Sequence, residues 1–338
     1  MSEANRGVWG VVPPPETGMS AFDVITMGRV GVDLYPLQSG VGLDEVETFG
    51  KFLGGSATNV AVAAARYGHS AAVVTRTGAD PFGRFVRRAL GEYGVDARFV
   101  ADVPGLPTPV TFCELFPPDD FPLYFYRFPK APDLEIRAEE LDRPAIESAR
   151  VLWTTMTGLC AEPSRTATLT ALGLRDRAGL TVLDLDYRPM FWESQDEARH
   201  WAGEALKHAT VAVGNIAEVE VAVGERDPER AARALLDRGV RLAVVKRGPE
   251  GVLAVAADGA TAESLPVPVE VVNGLGAGDA FGGALCHGLL SGWDLPRIMR
   301  FANAAGAIVA SQLACSAAMP DSAEVTALLD ETARGTSA

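Results

Sequence analysis

The sequence predicts an α/β fold in which a mostly parallel central sheet is covered by helices on both faces, with a small β-sheet standing off it as a lid. Three observations carry that prediction. Short β-branched runs alternate with helical patterns along most of the chain, a hairpin at residues 110–128 interrupts the alternation, and polar residues recur where the predicted strands end. Ligands of parallel α/β sheets sit beyond the carboxyl ends of the strands, so the third observation also predicts where a site lies.

At 338 residues the chain can bury an ample core, in one large domain or two smaller ones. Its 48% hydrophobic and 22% charged residues are ordinary for a soluble globular protein. A net charge of −14 without any basic run argues against nucleic acid or an anionic membrane as partner. An anionic substrate would therefore need a locally placed Arg or Lys. Cys113, Cys160, Cys286 and Cys315 are scattered and read as reduced, buried thiols, and His69, His200, His208 and His287 form no zinc pattern. With neither a spanning apolar run nor a signal pattern, a cytoplasmic enzyme is expected. Residues 1–20 are polar, Pro-rich and aperiodic, which predicts a flexible tail before a domain at 21–330 and a short tail at 331–338.

Residues 22–28 read as the first strand, ending in Gly28. Asp33, five residues on, is either a turn residue or a ligand for a hydroxyl group. Residues 47–53 lead into Gly54 and Gly55, then an Ala-rich helix at 60–67. The paired glycines and Asn59 either admit a ligand close to the backbone or simply form a turn with an N-cap. Strand 71–75, helix 81–93 and strand 99–103 follow. Residues 110–116 and 123–128 then form a hairpin about Pro117-Pro118-Asp119-Asp120, and with 32–37 and 47–53 they supply the lid, within segments 32–54 and 108–128. Arg127, after Tyr124, Phe125 and Tyr126, is either a solvated edge residue or a ligand for an acidic sugar.

The alternation resumes with strands at 151–155, 181–186, 211–214, 242–246 and 251–256, and helices at 164–178, 196–208, 216–223, 227–238 and 296–313. Asp184, Asp186 and Arg188 end one strand, Asn215 and Glu218 follow another, and Lys246 and Gly248 end a third. Asn215 and Glu218 share a helix face, where they would either hold a hydrated Mg²⁺ or cap the helix. Asn303 is polar among small neighbours and needs partners, of which an adenine ring could be one.

The densest glycine cluster is VVNGLGAGDAFGGALCHGLL, residues 271–290. Gly274, Gly276 and Gly278 fall in a turn before an apolar helix at 280–290, whose amino end favours an anion. Asp279 beside it suits a base that takes a proton from a hydroxyl attacking a phosphoryl group, although a glycine turn with a capping Asp also occurs for packing alone. The dinucleotide pattern fails at Asp279, and no Walker A loop is present.

Gly28 to Asp33, Gly54-Gly55-x-x-x-Asn59, Asn215-x-x-Glu218 and Gly276-Ala277-Gly278-Asp279 stand in the order of ribokinase-like, PfkB-type sugar kinases, which residues 22–330 resemble throughout. The resemblance implies a three-layer α/β/α core with a β lid, and ATP near the last strands, against Lys246, Gly248, Gly251, Gly276, Gly278 and Asn303. It further implies an anion hole at Gly276, Ala277 and Gly278, Asp279 as base, sugar hydroxyls on Asp33, Gly54, Gly55 and Asn59, and Mg²⁺ held through water by Asn215 and Glu218. Residues 112–122, 125–132, 184–192 and 272–290 are similar to the sugar-acid kinases of this family, which makes Arg127 and Arg188 candidate carboxylate clamps. Members often carry Asp-Thr-x, associated with a monovalent-cation site, where this chain has Asn273-Gly274-Leu275. The family's lids often pair, so a homodimer through the hairpin is expected.

Overall fold

A computed structural model describes residues 22–335. Ten strands form the main sheet. Its backbone runs, by neighbour, through Thr261–Ser264, Val252–Ala256, Leu242–Lys246, Val211–Asn215, Leu180–Asp184, Val151–Thr155, Val24–Met27, Ala71–Gly78 and Val95–Asp96. Val100–Val103 pairs with the far end of Ala71–Gly78. Pairing is parallel except at Val252–Ala256 and Thr261–Ser264, which close one edge as antiparallel strands. Val24–Met27 and Val151–Thr155 are buried along their whole length, as expected of Val- and Leu-rich strands with helices on both faces.

The register brings the polar ends together. Asn215 finishes level with Lys246, and Asp184 level with Thr155 but opposite Val213, two residues short of Asn215, so the four neighbouring strands finish at the same edge of the sheet. Over that edge stands a four-stranded sheet, Phe49–Gly54, Gly31–Pro36, Val110–Cys113 and Leu123–Tyr126. Its hairpin is the expected one. Its central pair, Gly31–Pro36 with Val110–Cys113, is parallel, a pairing between distant segments that local pattern does not encode.

Two neighbouring helices carry Asn59 and Asp279. Ser56–Arg66 begins four residues earlier than the sequence suggests, because Gly55, at φ 107, acts as the N-cap without any side-chain bond. Neither Ser56 nor Asn59 caps this helix. Ala277–Leu290 starts at Gly276, whose φ of 81 is a left-handed conformation suited to glycine. Gly282 and Gly283 bring these helices together: a Cβ on Gly283 would collide with Ala63, and one on Gly282 would come within 2.7 Å of Trp153 and 3.2 Å of Val60.

Two further elements depart from expectation. The strand Thr261–Ser264 was hidden by its polar sequence, and the helix Ser322–Gly335 runs through most of the stretch expected to be a C-terminal tail. The tail expected at residues 1–20 lies outside the described residues.

Candidate active site

A cavity of about 240 Å³ lies between the lid and the carboxyl ends of the strands. It is lined on the lid side by Asp33 and Tyr35, and on the core side by Asn59, Asp186, Lys246 and Asp279. A second cavity, of about 360 Å³, opens beside it over Gly248, Gly251, Val267, Phe281 and Asn303. The two share Lys246, Gly274 and Gly278, so the Gly-rich turn forms their common wall.

Asp279 stands in the first turn of Ala277–Leu290. Asn59 Nδ2 donates to its Oδ2 at 2.7 Å, and Ser316 Oγ donates to Asn59 Oδ1 at 2.5 Å, so the amide is fixed in the orientation that presents its N–H to the carboxylate. Loss of surrounding water pushes Asp279 up to about 6, against the opposing pull of Asn59, Arg29 and Lys246. A carboxylate titrating there is a better proton acceptor near neutrality than an ordinary aspartate. At the turn itself, Asp279 N–H and Ala280 N–H bond to the Gly276 carbonyl, while the earlier N–H groups of Ala277 and Gly278 have no intrahelical acceptor and are suited to an anion. A Cβ on Gly278 would lie 3.1 Å from Lys246 Nζ, so the ammonium sits directly over this turn. Burial would lower the Lys246 pKa, but Glu218, Asp184, Asp279 and Asp186 outweigh it and keep the group charged.

Asp33 forms the lid side. The Tyr35 hydroxyl donates to Asp33 Oδ2 at 2.7 Å and also lies 3.2 Å from Cys315 Sγ. Burial pushes Asp33 up to about 6 despite that bond. Gly54 is required beside it, since a Cβ there would collide with the carboxylate. Gly55 lines the cavity and, at φ 107, lets the chain enter the Asn59 helix.

Asp186, read from the sequence only as one of the polar residues at a strand end, is an anchor for several side chains. Ser56 Oγ donates to its Oδ2 at 2.6 Å, Arg188 Nη2 reaches Oδ1 at 2.7 Å, and Arg29 Nε lies 3.4 Å from Oδ2. Burial alone would raise its pKa, but the two guanidinium groups hold it well below the usual carboxylate range. Asp184, behind it, is raised well above that range by burial, with Lys246 opposing.

The remaining candidates divide. Arg188 lines the crevice, with Glu218 Oε1 at 3.6 Å. Arg127 does not line it and is corrected here: it pairs with buried Asp133 at 2.7 Å, lies 4.9 Å from the Phe191 ring centroid, and borders a neighbouring cavity of about 590 Å³. A buried carboxylate needs a cation, and Asp133 takes this one. Asn215 and Glu218 form a complete capping box, Glu218 N–H to Asn215 Oδ1 at 3.0 Å and Asn215 N–H to Glu218 Oε2 at 2.7 Å. Both residues line the cavity, but the cap uses Asn215 Oδ1 and Glu218 Oε2, so Glu218 Oε1, which faces Arg188, is the one hard oxygen of the pair outside the cap that could reach a cation through water. Among the described residues no cluster of three or more acidic, His or Cys side chains forms a direct metal cage. Asn303 Nδ2 donates to the Ser264 and Leu265 carbonyls at 3.0 Å each, so the protein already satisfies its donors and only its oxygen is left for a base.

The pfkB family carbohydrate kinase model matches residues 21–322. The chain belongs to the PfkB family of carbohydrate kinases and is a phosphotransferase. Among curated relatives it is similar to a 5-dehydro-2-deoxygluconokinase of Shouchella clausii, 34% identical over 314 residues, 92% of this chain and 96% of that protein. Among solved structures, a PfkB protein from Polaromonas sp. JS666 superposes with a TM-score of 0.78 at 27% identity, over 88% of this chain and 98% of its own. A fructokinase from Vibrio cholerae O395, in its fructose-, ADP- and calcium-bound form, gives a TM-score of 0.78 at 25% identity, covering 91% and 99%.

Proposed function

We propose that this protein transfers the γ-phosphoryl group of ATP to the C6 hydroxyl of 5-dehydro-2-deoxy-D-gluconate, a step of myo-inositol breakdown, in the cytoplasm. The observation that carries the proposal is the shared wall: two cavities meet at Gly276–Gly278, with a base tuned to about 6 on one side and Lys246 over the turn. The sugar acid occupies the lid-side cavity, its hydroxyls on Asp33 and its carboxylate toward Arg188. The nucleotide occupies the other, over Gly248 and Gly251 and beside Asn303. Asp279 takes the proton from the attacking hydroxyl, while Lys246 and the amides of the turn meet the charge on the transferring group. Mg²⁺, held through water near Asn215 and Glu218, would supply further neutralisation of the phosphates when bound. The name carried by the 34% identical relative supports this sugar acid over others.

The deciding experiment is a coupled ADP-release assay with 5-dehydro-2-deoxy-D-gluconate, 2-keto-3-deoxygluconate and fructose. Preferred turnover of either of the latter two would replace the substrate, and tight sugar binding without ADP release would point to a silent binding protein. Fractionation of cells tests the cytoplasmic location; among the described residues no helix is long and apolar enough to cross a membrane.

Two predictions belong to the same reading. Asn273 is fully buried, its Nδ2 donating to the Leu313 carbonyl at 2.7 Å and its Oδ1 accepting from Leu275 N–H at 3.0 Å. A neutral amide thus holds the turn where members of the family often carry a carboxylate, and turnover is expected to be equal in potassium and tetramethylammonium buffers. A several-fold rise with potassium would contradict this. On the lid, Tyr126 is 64% and Phe128 81% exposed, and Phe112 packs edge-on against both Phe49 and Tyr126. Sedimentation of the intact chain is expected to give a dimer that Tyr126→Glu dissociates; a wild-type monomer at micromolar concentration would refute pairing through the lid.

A further inference from the structure

Arg29 occupies an unusual position. It follows Gly28 beyond the first strand, its side chain only 11% exposed, yet it lines the lid-side cavity. Its one side-chain hydrogen bond among the described residues is the 3.4 Å contact from Nε to Asp186, so both terminal nitrogens are unspent. The guanidinium carbon lies 5.6 Å from the Phe125 ring centroid, which restrains the plane of the group. Buried arginines elsewhere in the chain use their forks on the protein. Arg175 Nη1 alone donates to the carbonyls of Ile146, Glu147 and Ala149, and Arg127 Nη2 reaches Asp133. An arginine that spends only Nε and points its fork into a cavity is arranged for an anion that arrives from outside.

The charge balance says where that anion goes. The cavity is lined by five carboxylates, Asp33, Asp184, Asp186, Glu218 and Asp279, against three cations, Arg29, Arg188 and Lys246. A carboxylate placed beside Asp33 or Asp279 would be repelled, and Lys246 is committed to the Gly278 turn. Only around Asp186 do two guanidinium groups face one carboxylate. Asp186 also fixes their spacing, since Arg188 holds Oδ1, while Arg29 and Ser56 hold Oδ2.

We propose that Arg29 and Arg188, both held on Asp186, form a paired-guanidinium seat for the substrate carboxylate, and that Arg29 is its specificity-determining member. This rests on the sugar-acid reading of the site. The seat fixes the end of the substrate remote from the attacking hydroxyl, so the acid is both admitted and oriented, whereas a neutral ketose leaves the Arg29 fork unpaired in a low-dielectric site, Arg188 keeping its bonds to Asp186 and the Tyr187 carbonyl.

The test compares wild type with Arg29→Gln and Arg29→Lys. KM and kcat are measured for 5-dehydro-2-deoxy-D-gluconate and fructose, and the affinity of the unreactive acid D-gluconate by calorimetry without ATP. Arg29→Gln is expected to raise KM for the acid by about 10²-fold, with a smaller change in kcat, and to weaken gluconate binding by a similar factor. Arg29→Lys should restore only part, because an ammonium keeps the charge and loses the planar fork. A role confined to holding Asp186 in place would lower kcat for both sugars and leave their KM ratio unchanged; that result, or unchanged gluconate affinity, would overturn the proposal. Should Arg29→Gln not fold, Arg29→Lys carries the same comparison. If wild type does not phosphorylate the acid, the substrate reading falls, while loss of gluconate affinity in the Arg29 variants still decides whether the seat exists.

Discussion

Asp279→Asn is expected to lower kcat by roughly 10²–10⁴ while the melting temperature and sugar affinity stay near wild type. The substitution keeps the size of the side chain and its contact with Asn59 while removing the proton acceptor. The pH dependence gives a second reading. Asp279 works as the carboxylate and is pushed up to about 6, so wild-type kcat should be full above that value and fall as pH drops through it. Asp33 titrates in the same range, but in the proposed binding mode it would face the sugar and act mainly through KM. The acid limb in kcat should therefore vanish in the Asp279→Asn variant. Near-normal turnover in that variant, or a kcat limb that survives it, would remove Asp279 as the base.

Arg188→Ala should raise KM for the sugar acid by about 10- to 10²-fold through loss of charge-assisted bonds, with ATP binding intact. Arg127→Ala should behave in the opposite way. It leaves Asp133 buried without a cation, which costs roughly 3–5 kcal/mol of stability, yet preference for the acid over fructose should persist. The melting temperature and the acid-to-ketose ratio of kcat/KM, measured on both variants, separate the two roles. Loss of acid preference in Arg127→Ala at an unchanged melting temperature would return that residue to the substrate site.

The contrast between those arginines marks how far sequence reasoning reached. Alternation of strands and helices is a periodic signal, so the parallel core, the hairpin and the strand ends that bring Asp184, Asn215 and Lys246 to one edge were legible. Direction of a side chain is not periodic at a strand end, and Arg127 was misplaced because its partner, Asp133, is set by tertiary packing. Arg29 was missed for the converse reason: one arginine after a glycine reads as a turn until the fold closes Phe125 and Asp186 around it. The early start of the Ser56–Arg66 helix escaped because it hinges on the backbone angle of Gly55. Asn215 and Glu218 were read as either a cap or a cation site; the capping box is present, and the carboxylate oxygen outside it faces Arg188 at the cavity wall.

Gly282 and Gly283 touch no ligand-lining side chain named here, yet they set the distance between the helix that carries Asp279 and the helix that carries Asn59. The Asp279 carboxylate and the amide bonded to it therefore share one dimensional tolerance, fixed where the two helices are in direct contact. A methyl group at Gly283 would enter the site as an alignment error, displacing a proton acceptor without altering any group that reacts. Screens that watch only the crevice would record such a variant as an unexplained loss of rate, and the search for better or altered kinases on this scaffold should treat that helix seam as part of the instrument.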